Sequence, residues 1–437
     1  MGIMYTKQWR VFLLFLFACA FFAPNSYAFR LGKKGPRVYG FIENGFGAKF
    51  DNNEDTKHRR YNMAEQRVQL KTRFFPEDPV FLYDWDAEVN IKAEFVLDEY
   101  YDITLDKSFR EFSLSASPLS FMDIKVGKQI FTWGTGDYLF INDMFPKDYI
   151  SFYIGRHDEY LKKPSYGAKA SIYLKKSNLD FVYLPFFVPN SAPNGTRLSF
   201  YDVFQQGIVG ESSRFSIHRP DRTFRNAEYA ARWYGNISGY EWAFYYFNGY
   251  YKNPCGFYDE MNRVVFYPRV SVYGASLRGA IFRGIGSVEF GYIDSRQDRS
   301  GENRLIPNDK VKLLAGYEKD LGNDFRIGLQ HQFSRMLAYD NYDSSLMPWD
   351  LRYDKIQHLS TLRLTKLFKS QTVRASLFVF YSETDRDTYW RPFLSWDVTD
   401  QFNVTVGANL MWGDKDTTDF GQMEQDKNAY VRFRWSF

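Results

Sequence analysis

The sequence predicts an all-β chain: a transmembrane antiparallel up-and-down β-barrel of about 18 strands, with short periplasmic turns and long external loops. Three observations predict it. From residue 37 to the C-terminus, segments of roughly ten residues alternate apolar and polar side chains, the period of a strand with one oily and one wet face. The links between these segments are alternately short and long. Aromatic residues make up 20% of the chain, with 33 Tyr and 43 Phe, yet mean hydropathy is negative. A water-soluble core rarely needs so many rings, whereas a barrel in lipid uses them on its outer face and in both interfacial girdles.

The chain divides into residues 1–28, 29–36 and 37–437. Residues 1–28 read as a secretory signal peptide: Lys7 and Arg10 supply a basic start, Val11 to Ala23 an apolar run, and Ser26-Tyr27-Ala28 a small-x-small exit. A spanning helix would need roughly 20 apolar residues. Cys19 follows Leu16-Phe17-Ala18 in a lipoprotein-like setting, but the apolar run continues past it. Cleavage near Ala28 leaves a polar periplasmic leader over 29–36 and one barrel domain over 37–437. Removing Lys7 and Arg10 lowers the formal net charge from +4 to +2, so bulk charge implies no nucleic acid partner. Cys255 is then the sole cysteine, which excludes a disulfide framework, a Cys-based metal site and covalent haem attachment, and no cofactor is expected.

Strands follow in order. Val38, Gly40, Ile42, Phe46 and Ala48 alternate with Arg37, Tyr39, Phe41, Glu43 and Lys49; Val68, Leu70, Thr72 and Phe74 alternate with Arg67, Gln69, Lys71 and Arg73. In the clearest case Trp85, Ala87, Val89, Ile91, Ala93 and Phe95 oppose Asp86, Glu88, Asn90, Lys92 and Glu94. Turning that strand over would put its charges in lipid at about 2 to 4 kcal/mol per midplane cation, on the order of 10 kcal/mol in all, so its register is strongly specified. Further strands are predicted near 108–117, 121–131, 164–175, 178–187, 225–235, 240–250, 269–282, 285–294, 309–319, 324–334, 356–368, 371–382, 388–398, 402–412 and 427–437. Short links at 75–79, 117–120, 175–178, 236–239, 283–284, 320–323, 368–370 and 399–401 alternate with longer ones at 51–61, 97–107, 132–163, 188–224, 251–268, 295–308, 335–355, 383–387 and 413–426. That rhythm places the Gram-negative periplasm on one side and the exterior on the other. A barrel of this size is too wide for its side chains to fill, and water should enter.

The inward positions carry mixed charge. Arg37, Arg67, Lys71, Arg73, Lys125, Lys169, Arg374, Arg391, Arg432 and Arg434 are the lumen-lining candidates for selectivity, facing acids that include Glu43, Glu65, Glu88, Glu94, Asp123, Glu228 and Glu289. One reading is a basic ladder guiding an anionic solute; the other is simple solvation of a watery lumen by paired charges. The link 132–163 is too long for mere connection. Its glycines and aromatics suit either an inward fold that narrows the pore, with Trp133, Gly134, Asp137 and Asp143 as constriction-loop candidates, or a packed external lid. Loop 188–224 carries Arg214, His218, Arg219 and Arg222 and reads as a solvated basic loop able to meet lipopolysaccharide phosphates.

The closing segment Ala429, Val431, Phe433, Trp435 and Phe437 against Asn428, Tyr430, Arg432, Arg434 and Ser436 resembles the last strand of bacterial outer-membrane barrels, which implies that Phe437 addresses the chain to the barrel-assembly machinery. Gly127-Lys128-Gln129-Ile130-Phe131-Thr132-Trp133-Gly134, then Asn142-Asp143 and Pro146, resemble a segment of a broad proteobacterial porin-like family that is loosely similar to alginate-export barrels; Arg391 to Asp397 and Asn403 to Asn409 resemble its penultimate hairpin. The resemblance implies a barrel in outer-membrane lipid. Alginate exporters have a strongly basic lumen, from which the acids above depart.

The function expected is a porin-like channel for passive or facilitated passage of small or anionic solutes. Two alternatives are a sheath holding a periplasmic multihaem cytochrome for electron transfer, and an exporter of an anionic polymer or lipid. An enzyme is not expected: the histidines at 58, 157, 218, 331 and 358 are scattered, and His331-Gln332-Phe333-Ser334 puts His and Ser on opposite faces.

Overall fold

The computed structural model describes residues 29–30, 35–51, 55–58, 60–75, 86–98, 109–213 and 215–437. The predicted signal peptide, Trp85 and Arg214 lie outside the described residues. Eighteen strands form one closed sheet. They are β1 (Arg37–Lys49), β2 (Tyr61–Phe74), β3 (Asp86–Asp98), β4 (Phe109–Leu119), β5 (Met122–Gln129), β6 (Ser165–Tyr173), β7 (Asn178–Leu184), β8 (Glu228–Ile237), β9 (Tyr240–Tyr250), β10 (Arg269–Ile281), β11 (Gly284–Ser295), β12 (Lys310–Asp320), β13 (Phe325–Met336), β14 (Ile356–Phe368), β15 (Val373–Ser382), β16 (Asp387–Asp397), β17 (Phe402–Gly413) and β18 (Asn428–Ser436). Each pairs antiparallel with the next, and β18 returns to β1 with Trp435 opposite Ile42 and Ala429 opposite Ala48. Closure leaves no exposed edge, which a spanning sheet requires because lipid offers backbone groups no partner.

The terminal aromatic takes part in that closure. Phe437 exchanges two backbone hydrogen bonds with Gly40, each 2.9 Å. A side chain on Gly40 would come within 2.8 Å of the Phe437 ring, so glycine there makes room for it. The leader returns as a short pairing of Phe29 and Arg30 with Val38 and Arg37.

The periplasmic turns are as tight as the link lengths imply. Ile281 pairs with Gly284 across Phe282 and Arg283, both with positive φ (48° and 60°), as the two-residue turn that matches strand twist demands. One external link is equally short: β15 and β16 are joined by Glu383–Arg386, with Arg386 at φ 54°. Predicted strand ends at 131 and 187 retreat to Gln129 and Leu184, because the chain there leaves the sheet to pack elsewhere. The external loops also pair among themselves: Phe200–Asp202 with Gly207–Val209, and Ser216–His218 with Val264–Phe266, which pairs in turn with Gly256–Asp259.

The two faces separate as the alternation predicts. Val89 stands beside Leu114 and Val126, which are exposed outward, and Phe433 stands beside Val404 in the row that continues to exposed Val406. Leu313 is exposed to lipid while Leu314 is 2% exposed. The reason lies inside the barrel.

Candidate channel constriction

The link between β5 and β6 folds into the barrel and is fastened to strands around its circumference. It begins with Trp133 and Phe145, whose rings meet edge to face at 5.1 Å. Both are buried against Val182 and Leu184 of β7, Ala230 of β8, Tyr245 and Phe247 of β9, Val272 of β10 and Ile293 of β11. These are inward positions that a watery lumen would not fill with oil. The loop gives them a partner, which is why the sheet can afford them.

Its firmest anchor is Glu289 of β11, 2% exposed. One carboxylate oxygen accepts from the Thr135 N–H (2.7 Å) and hydroxyl (2.9 Å), the other from the Asn142 N–H and side-chain amide (both 3.0 Å). A carboxylate buried with four donors is satisfied where an unpaired one would be very costly. Just before these donors Gly134 adopts φ +87°, and a Cβ there would lie 3.0 Å from the Glu289 oxygen. Asp137 then meets Arg363 of β14 at 3.2 Å, and its N–H donates to Gln330 of the adjacent β13 at 3.2 Å. Burial raises the Asp137 carboxyl against the pull of Arg363.

The loop next lays Tyr138 and Phe152 on Phe378 and Phe380 of β15, Tyr389 of β16 and Tyr430 of β18. A short helix, Tyr149–Tyr153, is capped by Asp148, whose side chain accepts from the Ser151 N–H at 3.1 Å. Gly155 follows at φ +82°, packed so closely on the Tyr430 ring that no side chain fits.

The returning arm, Arg156 to Tyr160, is charged. Arg156 donates twice to Glu65 of β2 at 3.0 Å and also pairs with Asp98 of β3 at 3.2 Å. Asp158 meets Arg391 of β16 at 3.1 Å; Glu159 meets Lys92 of β3 at 3.2 Å and Arg434 of β18 at 3.4 Å. The Tyr160 hydroxyl donates to Glu94 at 2.9 Å, and Arg110 of β4 holds the Glu159 and Lys162 carbonyls at 2.6 and 2.9 Å. Burial pushes Glu159 upward, but Lys92, His157 and Arg434 outweigh it and draw the carboxyl down to about 2.

The sequence candidates therefore divide. Arg67, Arg391, Arg432 and Arg434 face inward but are not free rungs of a ladder. Arg67 is buried between Glu65 (3.3 Å) and Glu94 (3.0 Å); Arg391 stacks on Phe152 at 3.8 Å; Arg432 and Arg434 converge on Glu43 at 3.8 and 2.7 Å. They neutralise acids and hold the loop. Lys125 and Lys169 stand opposite each other on β5 and β6, Lys169 being 3.4 Å from Asp180, and Arg374 lies over the Phe393 ring at 5.1 Å. Arg37, Lys71 and Arg73, with Tyr39, line a cavity of about 560 Å³ at the periplasmic ends of β1 and β2. Arg73 is 3.6 Å from Glu88; Arg37 and Lys71 have no ion pair among the described residues.

Of the loop candidates, Trp133 is buried against the wall, and Asp143 is buried in a 2.9 Å ion pair with Lys147, so neither presents its side chain to a solute. Asp137 is held to the adjacent strands β13 and β14 and stays partly exposed. The anchors Glu289, Arg156 and Glu159 were not legible as such: Arg156 lies 91 residues from Glu65, and Glu289 lies 154 from Thr135.

Loop 188–224 is also more ordered than a solvated loop. Arg197 reaches Asp98 at 2.8 Å, Ser199 donates to Asp426 through both N–H and hydroxyl at 2.7 Å, and the Gly210 N–H donates to Asp55. It thus crosses from β7 to the β1–β2 and β17–β18 loops. Beneath it lies an external cavity of about 1390 Å³ whose lining includes Lys163, Arg219, Lys310, Lys312, Arg386 and Lys415. Cationic side chains in that lining number eight against five acidic ones.

The fold is similar to solved barrels. OccAB3 of Acinetobacter baumannii matches with TM-score 0.54 and 10% identity over 92% of this chain and 98% of that one. OccAB4 of the same organism matches with TM-score 0.54 and 10% identity over 95% and 99%. A BenF-like porin from Pseudomonas fluorescens Pf-5 matches with TM-score 0.53 and 10% identity over 92% and 98%. No protein-family model matches the chain, and no curated protein is significantly similar to it in sequence. The expected likeness to alginate-export barrels is not shown by these neighbours. What they and the closed sheet establish together is a closed 18-stranded antiparallel β-barrel with the fold of those solved barrels.

Proposed function

We propose that the chain is an outer-membrane channel for small, preferentially anionic solutes, narrowed by the loop that follows β5. The observation that carries this reading is the arrangement along the axis: a net-basic external cavity, a loop tied to the wall by Glu289, Arg156 and Glu159, and a basic periplasmic cavity at Arg37, Lys71 and Arg73. Cations at both mouths raise the local concentration of anions, while the paired charges between them leave the narrow zone close to neutral. The solved neighbour named as a BenF-like porin supports the same reading. In this view Phe437 is read by the barrel-assembly machinery, and the aromatic girdles meet lipid and lipopolysaccharide.

The test is the reversal potential of refolded protein in a planar bilayer under a salt gradient. Anion preference is expected, and replacing Arg37, Lys71 and Arg73 by Gln should reduce it. A channel without that preference, or one whose preference survives the triple replacement, would count against the reading. A cytochrome sheath or a polymer exporter needs a wide unobstructed bore, and the inward loop speaks against both. Co-purification of a haem-staining partner would reopen the sheath reading.

A further inference from the structure

The outer face of the barrel carries a compact polar group where lipid should meet oil. In register, His331 of β13 stands opposite Ser360 of β14, which stands opposite Tyr381 of β15; Phe333 stands opposite His358. These positions share a face with Leu313 and Leu329, both exposed to lipid. His331 Nδ1 lies 2.9 Å from Ser360 Oγ, and His331 Nε2 lies 3.1 Å from His358 Nδ1. The Ser360 hydroxyl also donates a short hydrogen bond to Glu383, whose carboxylate is 3.9 Å from His331 Nδ1. The two imidazoles stack at 5.3 Å, and Phe333 sets its edge on His358 at 5.5 Å. The His358 N–H donates to Thr384 at 2.9 Å, which ties this strand to the external turn Glu383–Arg386.

Ionisable groups on a lipid face are expensive, and their presence marks function more often than stability. The group also has the relations that nucleophilic catalysis needs: a hydroxyl within reach of an imidazole, and that imidazole oriented through its other nitrogen by a third group. Its depth fits one substrate class. Tyr381, opposite Ser360, and the Tyr246–Tyr273–Tyr292 row farther round the wall stand toward the external ends of their strands, where an aromatic girdle meets lipid headgroups. Acyl ester carbonyls of membrane lipid lie at that boundary, where water also reaches.

We propose that Ser360, His331, His358 and Glu383 form an esterase centre facing the outer leaflet. For the reaction the Ser360 hydroxyl turns its proton from Glu383 to His331, which, with its own proton on Nε2, donates to His358 and offers Nδ1 as the acceptor. Ser360 Oγ attacks the ester carbonyl carbon as its proton passes to His331 Nδ1. The bond to the leaving alcohol breaks, and the alcohol takes that proton, leaving an acyl ester on Ser360. Water then attacks the ester, returns a proton through His331 and releases the fatty acid and free Ser360. Glu383 stabilises the imidazolium formed in each half. The centre lies on the opposite face of the sheet from the lumen, so it stands or falls independently of the channel reading.

Refolded protein in detergent would be offered phosphatidylethanolamine vesicles and, separately, lipopolysaccharide, with released fatty acid measured by mass spectrometry. A fluorophosphonate probe would report the nucleophile. Release from one of the two substrates is expected, and which one responds tells glycerophospholipid from lipid A esters. Ser360→Ala and His331→Ala should each lower release about 100-fold or more, and the probe adduct should map to Ser360. Ser334→Ala, on the lumen side of β13, should leave release unchanged, and Ser360→Ala should leave conductance unchanged. Folded wild-type protein that releases no fatty acid from either substrate and takes no adduct overturns the proposal, as does release that survives Ser360→Ala.

Discussion

Replacing Glu289 with Ala should free one side of the inward loop. The wild-type carboxylate holds four donors, two of them backbone N–H groups of Thr135 and Asn142, at a position 2% exposed. The Thr135 hydroxyl can turn toward water, and the buried Asn142 amide keeps its bond to the Phe290 carbonyl. The two N–H groups are fixed by the chain, and each loses about 1 to 3 kcal/mol when left without an acceptor. The central expectation is about 4 kcal/mol, or close to a thousandfold shift in the balance between fastened and released loop at about 1.4 kcal/mol per tenfold. Glu289→Gln should do less, about 1.5 to 3 kcal/mol, because one oxygen still accepts while the new amide faces the donors of the other pair. Single-channel recordings in planar bilayers read the result. Conductance should rise and become noisier in the order wild type, Glu289→Gln, Glu289→Ala. If folded Glu289→Ala gave the wild-type conductance distribution, the carboxylate would not be the anchor and the constriction argument would lose its main support.

Two further outcomes follow from the same loop. Gly134→Ala forces a side chain into φ +87° and against the Glu289 oxygen at 3.0 Å, and should cost about 1 to 3 kcal/mol in thermal stability followed by heat-modifiable gel mobility. Acid should loosen the returning arm. The Glu159 carboxyl, drawn from 4.5 to about 2 in the fold, contributes on the order of 3 kcal/mol. Because the folded value is the lower one, that stability is complete above about pH 4.5 and is lost as pH falls toward 2. Conductance should therefore be steady from neutral pH to about 5 and change below 4; a change centred near pH 6 would point to another group.

The barrel was legible because its rule is local. A strand between lipid and water must alternate, so Ile42, Val89 and Phe433 disclose their face from their immediate neighbours, and the short turns at Phe282–Arg283 and Ser238–Gly239 disclose which end is periplasmic. Loop 132–163 announced itself by length, glycine and aromatic content, but only as something able to pack. Its route was not readable, because Thr135 meets Glu289 and Arg156 meets Glu65 through the interior of a closed sheet, and no periodicity links positions so far apart in the chain.

The same limit governs the charges and the outer cluster. Inward Arg and Glu could be assigned to the lumen one by one, but whether Arg67 attracts a solute or cancels Glu94 depends on register between strands and on which loop lies over them. His331 and Ser334 were correctly separated by strand period, while His331 and Ser360, 29 residues apart, were brought together by the pairing of β13 with β14. The sequence by itself determined which side of each strand meets lipid, because each cation turned into hydrocarbon near the midplane costs about 2 to 4 kcal/mol and a reversed strand would carry several charges there. Only the tertiary structure decided which side chains touch, because contact across a closed sheet follows from register and from the path of one loop, and neither is written in any local run of residues.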